Sequence, residues 1–175
     1  MIKPSALFTP ASERATLDQP LAHLRACHRR IEDRLTTLER AAAHLQDRRD
    51  EALAAFHSAF AFLDTSGALH TADEEESLFP RLYPLLEMGE RSYLAGLEHD
   101  HTEAHRMYTR LKALIAAPDA GDAWLAQTRG LVENLTAHYR RHIASEDESL
   151  QAYAAERLGG AALAEIAQEM RARRK

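Results

Sequence analysis

One motif is written twice in this chain. Residues 70–79 read HTADEEESLF and residues 142–151 read HIASEDESLQ, sharing the frame H-x-A-x-E-x-E-S-L. An acidic residue stands five places after the histidine in each copy, Glu75 in the first and Asp147 in the second. The correspondence extends upstream, because His28 precedes His70 by 42 residues and His101 precedes His142 by 41. Such self-similarity marks a duplicated helical hairpin. Residues four apart lie on one helix face, roughly 5–6 Å apart at Cβ. Each H-x-x-x-E pair therefore aims an imidazole and a carboxylate at one point, and the fold must bring two such points together.

Composition agrees with helices. Of the 175 residues, 45% are apolar and 28% charged, with only seven Gly and six Pro. Ala, Leu, Glu and Arg, all strong helix formers, dominate, and the length suits one domain with its own core. A net charge of −5 gives no electrostatic footprint for nucleic acid. The basic end, Arg171 to Lys175, reads as a solvated helix terminus. The single cysteine, Cys27, excludes an internal disulfide framework and reads as a small core residue. No apolar run approaches the roughly 20 residues that span a bilayer, and no signal-peptide core is evident. A cytoplasmic protein without membrane or nucleic-acid partners is expected. No motif specifies an oligomeric state.

Residues 1–17 lack a sustained period and read as an N-terminal arm. Asp18 is the expected N-cap of a first helix, with Pro20 in its first turn. Its stripe is Leu24, His28, Ile31, Leu35, Leu38, Ala42 and Leu45. His23 and His44 fall off that line and read as solvated. A second helix begins near Asp50 with Leu53, Phe56, Phe60 and Leu63 inward. Ser66-Gly67 predicts a kink or bulge. The stripe then resumes at His70, Glu74 and Leu78, and Pro80 is expected to limit the helix. A third helix runs from about Glu90 to Ala116, with Leu94, Leu97, His101, Ala104 or His105, Tyr108, Leu111 and Ile115 inward and His99 outward. The fourth, capped by Asp122, presents Leu131, Leu135, His138, His142, Glu146 and Leu150, and Gly159-Gly160 ends it. The expected fold is all-α: an up-down-up-down four-helix bundle over residues 18–158. A short C-terminal fifth helix over residues 159–175 docks on it through Leu163, Ile166 and Met170.

All four stripes place a histidine at similar depth, and two add a glutamate. His28, His70, His101, His105 and His142 supply five imidazoles, His105 through its i,i+4 relation to His101. Glu74 and Glu146 supply two carboxylates, able to bridge two cations. Nitrogen and oxygen donors without thiolate suit iron or manganese better than a structural zinc. Read one at a time, these residues are ordinary: a lone His28 is a core histidine, and Glu74-Glu75-Glu76 a solvated acidic face. Read together, that account buries several polar groups in one layer, each costing several kcal/mol if unpaired. Asp147 competes with Glu146 as the fourth-helix carboxylate. His138 stands one turn before His142, as an additional ligand or a supporting group. Glu32 occupies the position in the first half that His105 occupies in the second. His57 reads as non-ligating.

The set resembles the hemerythrin-like (HHE cation-binding) family over about His28 to Leu150. The resemblance rests on His28, on His70 and Glu74 followed by Leu78-Phe79-Pro80, on His101 and His105, and on His142 with Glu146 or Asp147. It implies a four-helix bundle around two iron ions in a non-haem, oxo- or hydroxo-bridged centre. A position open to O₂ or a similar small ligand comes with it; manganese or a mixed pair fits the same donors. The ending Glu169-Met170-Arg171-Ala172-Arg173-Arg174 is similar to tails of bacterial members. The second copy lacks Leu-Phe-Pro, which predicts a longer fourth helix. Three functions follow. The first is reversible O₂ binding for sensing, carriage or storage. The second is a di-iron enzyme acting on peroxide or nitric oxide, or in iron handling and repair, with Tyr108 and Tyr139 as nearby redox or hydrogen-bonding groups. The third is an interaction bundle with a structural metal.

Overall fold

The structure, a computed structural model, describes residues 17–175. The arm assigned to residues 1–17 lies outside them except for Leu17, which is buried. Helix α1 is Pro20–His44. Residues 49–82 form a second rod, α2: Arg49–Phe62, a π-turn Leu63–Gly67, Ala68–Asp73, a second π-turn Glu74–Leu78, and Phe79–Leu82. A 3₁₀ turn, Tyr83–Leu85, follows it. Helix α3 is Met88–Ala116. The fourth rod, α4, spans residues 122–157 as Asp122–Ser145, a π-turn Glu146–Leu150 and Gln151–Arg157. Helix α5 is Gly160–Ala172. No strand occurs among the described residues, and none of their helices is long and apolar enough to cross a membrane.

Helix α1 packs on α2 and α4, and α3 packs on α4. The seam between α2 and α3 is looser. Helix α5 lies across α1 and the part of α2 around Glu74–Leu78, docked by Leu163, Ile166 and Met170. The core has two apolar ends. One gathers Leu38, Leu45, Phe56, Leu63, Leu111, Ile115, Trp124 and Leu135. The other gathers Leu24, Leu78, Leu82, Leu94, Leu97, Leu150, Ile166 and Met170. The histidine-bearing layer lies between them, beside a small apolar group of Ile31, Leu35 and Ile143.

Several local expectations are corrected. Asp18 does not cap α1: Gln19 holds that position without a side-chain bond, and Asp18 pairs with Arg171. Gly121, not Asp122, is the N-cap of α4. The bulge expected at Ser66-Gly67 is the first π-turn. Pro80 does not stop α2, because it enters in the first turn after a π-turn, where a missing N–H leaves no helical bond unmade. The fourth rod does run longer than its counterpart in the duplicated frame. It stays α-helical to Arg157, the place of Leu85 in the first copy, whereas α2 ends three residues earlier at Leu82 and passes into a 3₁₀ turn. Gly159 and Gly160 supply no left-handed cap, since no described residue has positive φ.

The two later π-turns are equivalent in the duplicated frame, each opening on the glutamate of H-x-x-x-E. Phe79 N–H donates to the Glu74 carbonyl and Gln151 N–H to that of Glu146, five residues back in each case. Pro80 is not their cause, because Ala152 stands at that place in the second copy. The shared frame itself carries the widened turn, a feature frequent at functional sites.

Candidate metal centre

Six side chains converge in the layer between the apolar ends. Glu74 and Glu146 enter from α2 and α4 and are both 0% exposed. His70 and His142 stand one turn before them, and His28 and His101 arrive from α1 and α3. Ligand-type atoms of His28, His70, Glu74 and Glu146 all lie within 4.8 Å of one another, as do those of His101, His142 and Glu146. His28 Nε2 is 3.2 Å from Glu146 Oε2 and 3.9 Å from Glu74 Oε1. Glu74 Oε2 is 3.5 Å from both His70 Nε2 and His101 Nε2. Glu146 Oε1 is 3.2 Å from His142 Nε2, which lies 2.9 Å from His101 Nε2. Each carboxylate thus faces imidazoles of both halves.

Burial alone would raise these carboxyl pKa values. The facing imidazoles outweigh it, His70, His101 and His28 for Glu74 and His142 and His28 for Glu146, and both carboxyls are held below the usual range. Conversely, burial opposes charge on His28, but Glu146 and Glu74 push it up to about 10. Burial likewise opposes charge on His101, and Glu74 pushes it up to about 9. His70 is dominated by its own burial and is lowered.

The outer faces of two imidazoles are tied in the same way in each half. His28 Nδ1 lies 2.8 Å from Asp147 Oδ1, and His101 Nδ1 lies 2.8 Å from Glu75 Oε1. Asp147 and Glu75 are the fifth-place acids of the two copies. They stand outside the cluster on exposed positions. Ligating histidines commonly donate their second nitrogen to a carboxylate in this way, which fixes the tautomer and raises basicity.

The remaining candidates are placed elsewhere. His105 is exposed and, with His101, Glu75, Thr71 and Tyr139, lines a cavity of about 530 Å³ at the α2–α3 seam. His138 Nε2 donates to the Asp100 carbonyl at 2.9 Å. Glu32 accepts from Arg140 Nε at 3.2 Å. His44, His57 and His99 are exposed, whereas His23, expected in solvent, is 1% exposed. The reason is the chain's basic end, which is not solvated as expected. Arg174 contacts His23 Nε2 at 3.2 Å and, with Arg173, pairs with Asp73, itself 0% exposed. Burial first, then Arg174, lowers His23 to about 4. No local signal in the sequence announced this cluster. The fifth-place acids, by contrast, carried one in their repetition.

A second, smaller void of about 20 Å³ lies against the centre, lined by Ile31, Leu63, Gly67, His70, Thr71, His101, Tyr139, His142 and Ile143. It shares Leu63, Gly67, Thr71, His101 and Tyr139 with the outer cavity. Burial pushes the Tyr139 phenol up to about 12.

The donors fit cations. All four oxygens of Glu74 and Glu146 are buried without a hydrogen-bond partner, a state that costs several kcal/mol per group unless a cation supplies the contact. Neither a curated protein nor a solved structure matches the chain significantly. The model of the Hemerythrin HHE cation binding domain matches residues 19–154, most of the chain and all six converging side chains. This protein therefore belongs to the hemerythrin HHE cation-binding family.

Proposed function

We propose that the chain holds two iron ions, or a manganese or mixed pair, and binds O₂ or a similar small ligand at them for sensing, carriage or storage in the cytoplasm. The carrying observation is the pair of fully buried carboxylates whose oxygens have no partner but face four imidazole Nε2 atoms. In this reading His28 and His70 hold one ion, His101 and His142 the other, and Glu74 and Glu146 lie between them. An up-down-up-down bundle is supported by the two apolar ends: each combines the end of one rod with the beginning of the next. Ferrous iron, when bound, supplies the electrons that O₂ binding needs, and hard nitrogen and oxygen donors suit it. The void beside His70, His101 and His142 has room for about one water-sized ligand, which favours a diatomic over an organic substrate. His105 serves at the mouth, or as a fifth imidazole after turning inward.

Elemental analysis tests the core of this reading. About two metal ions per chain are expected, with both lost in the His70→Ala/His142→Ala variant. A preparation that takes up no stoichiometric metal on anaerobic reconstitution would refute it. For ligand binding, the ferrous protein should gain a charge-transfer band with O₂ and lose it on deoxygenation.

A second reading, turnover of peroxide, is favoured by Tyr139, which lines both cavities and packs against the core group containing Tyr108. Its protonated phenol can donate a hydrogen bond to a ligand in the inner void. Under this reading Tyr139→Phe lowers multiple-turnover peroxide consumption at least about tenfold with metal content unchanged. Equal turnover by the variant leaves O₂ binding as the better account.

A further inference from the structure

The duplicated frame makes the two metal positions comparable residue by residue, and they are not equivalent. On the second-half side both imidazoles are backed by carboxylates. Glu75 lies 2.8 Å from His101 Nδ1, and Asp100 Oδ2 lies 3.5 Å from His142 Nδ1. His142 Nδ1 and His70 Nδ1 are both buried without a hydrogen-bond partner, so the contrast is one of charge: on the first-half side Asp147 backs His28 at 2.8 Å, but no carboxylate pairs with His70 Nδ1 among the described residues. Asp100 immediately precedes His101; the residue that immediately precedes His28 is Cys27. The half that would have an anion there has a neutral thiol instead, buried against Arg30 at 2.9 Å and His23 at 3.5 Å.

The residue before each glutamate differs as well. Asp73, the residue before Glu74, is shared by two guanidiniums, Arg173 at 3.0 Å and Arg174 at 2.6 Å, and Arg173 is paired again by the exposed Glu76 at 3.1 Å. Arg174 is only 8% exposed, so solvent screens it weakly. The counterpart of Asp73 in the second half is Ser145, and it has no arginine: its hydroxyl donates to Tyr93.

We propose that the two positions load in order. The His101/His142 position, backed by Glu75 and Asp100, fills first and more tightly; the His28/His70 position, which has Asp147 behind His28 and no carboxylate behind His70, fills second and exchanges more readily. This rests on the two-metal reading above. Carboxylates behind ligating histidines change metal affinity on the order of 10–100-fold, and a difference of at least about tenfold between the two dissociation constants is expected.

The test uses the full metal-free chain, titrated with Co²⁺ and followed by calorimetry and by NMR of ¹⁵N-labelled histidines. The first equivalent should shift His101 and His142, and the second His28 and His70. Asp100→Asn, at a site whose side chain is 39% exposed, should weaken the first step and bring the two constants together. Simultaneous loading, loading that begins at His28 and His70, or two constants indifferent to Asp100→Asn overturns the proposal while leaving the two-metal reading intact. Uptake of fewer than two Co²⁺ per chain overturns that reading and this one together.

Discussion

Glu75 and Asp147 show how much a single position along a helix decides. Each follows a buried glutamate by one residue, about 100° further round the helix, and so reaches the outer nitrogen of an imidazole rather than the metal layer. The sequence left Glu146 and Asp147 open because both are carboxylates one residue apart; burial separates them, at 0% and 43% side-chain exposure. Asp147→Asn and Glu75→Gln should therefore each weaken metal affinity about 10–100-fold with two ions still bound, as read by chelator competition. Glu146→Gln should lower the stoichiometry itself. His105→Ala should keep two ions, since His105 lies exposed at the outer cavity; a loss of one would make His105 a ligand. His23 marks the limit of reading a stripe: it lies off the first helix's apolar line, yet Arg174, far along the chain, covers it. Tertiary partners of that kind leave no trace in local periodicity.

Among the elements, the apolar stripes of all five helices were readable, because a helix that must bury one face repeats its apolar residues every three or four positions. The π-turns at Glu74 and Glu146 were not, since a widened turn keeps the residue types of an ordinary one. Nor was the role of α5. Its docking stripe was legible, but its grip on α2 is ionic: Glu169 binds Arg81 at 2.8 Å and accepts from Ser77 at 2.6 Å, while Arg173 and Arg174 close on Asp73. Asp73→Ala would leave these two guanidiniums without their buried partner, and removing one partner of a buried pair costs about 3–5 kcal/mol. A corresponding fall in unfolding free energy is expected in urea. A change under about 1 kcal/mol would show that the arginines simply swing into solvent.

At the scale of the whole molecule, a polar layer separates two apolar ends, and its balance of charge depends on pH. His28 and His101 titrate near 10 and 9 in the folded metal-free chain, against about 6.5 unfolded. Their stabilisation is complete below the unfolded value and is lost as pH rises through 9 to 10. Glu74 and Glu146, held low, contribute above about 4.5 and lose that contribution as pH falls below it. The metal-free protein should thus melt earlier at pH 10.5 than at pH 7. The loaded protein, where cations replace those protons, should show a much smaller alkaline decline in the same thermal scan. Metal uptake should correspondingly release protons and strengthen with rising pH.

The two central carboxylates come from different hairpins, and each faces imidazoles of both. A loaded centre would therefore act as a staple. It would tie chain segments 72 residues apart and restrict the unfolded chain much as a disulfide does, but reversibly and on terms set by the supply of metal. Metal scarcity would then loosen the seam between two halves that otherwise meet through apolar packing and polar ties such as Asp147 on His28 and Glu75 on His101, making the protein's rigidity itself a readout of the ion it carries.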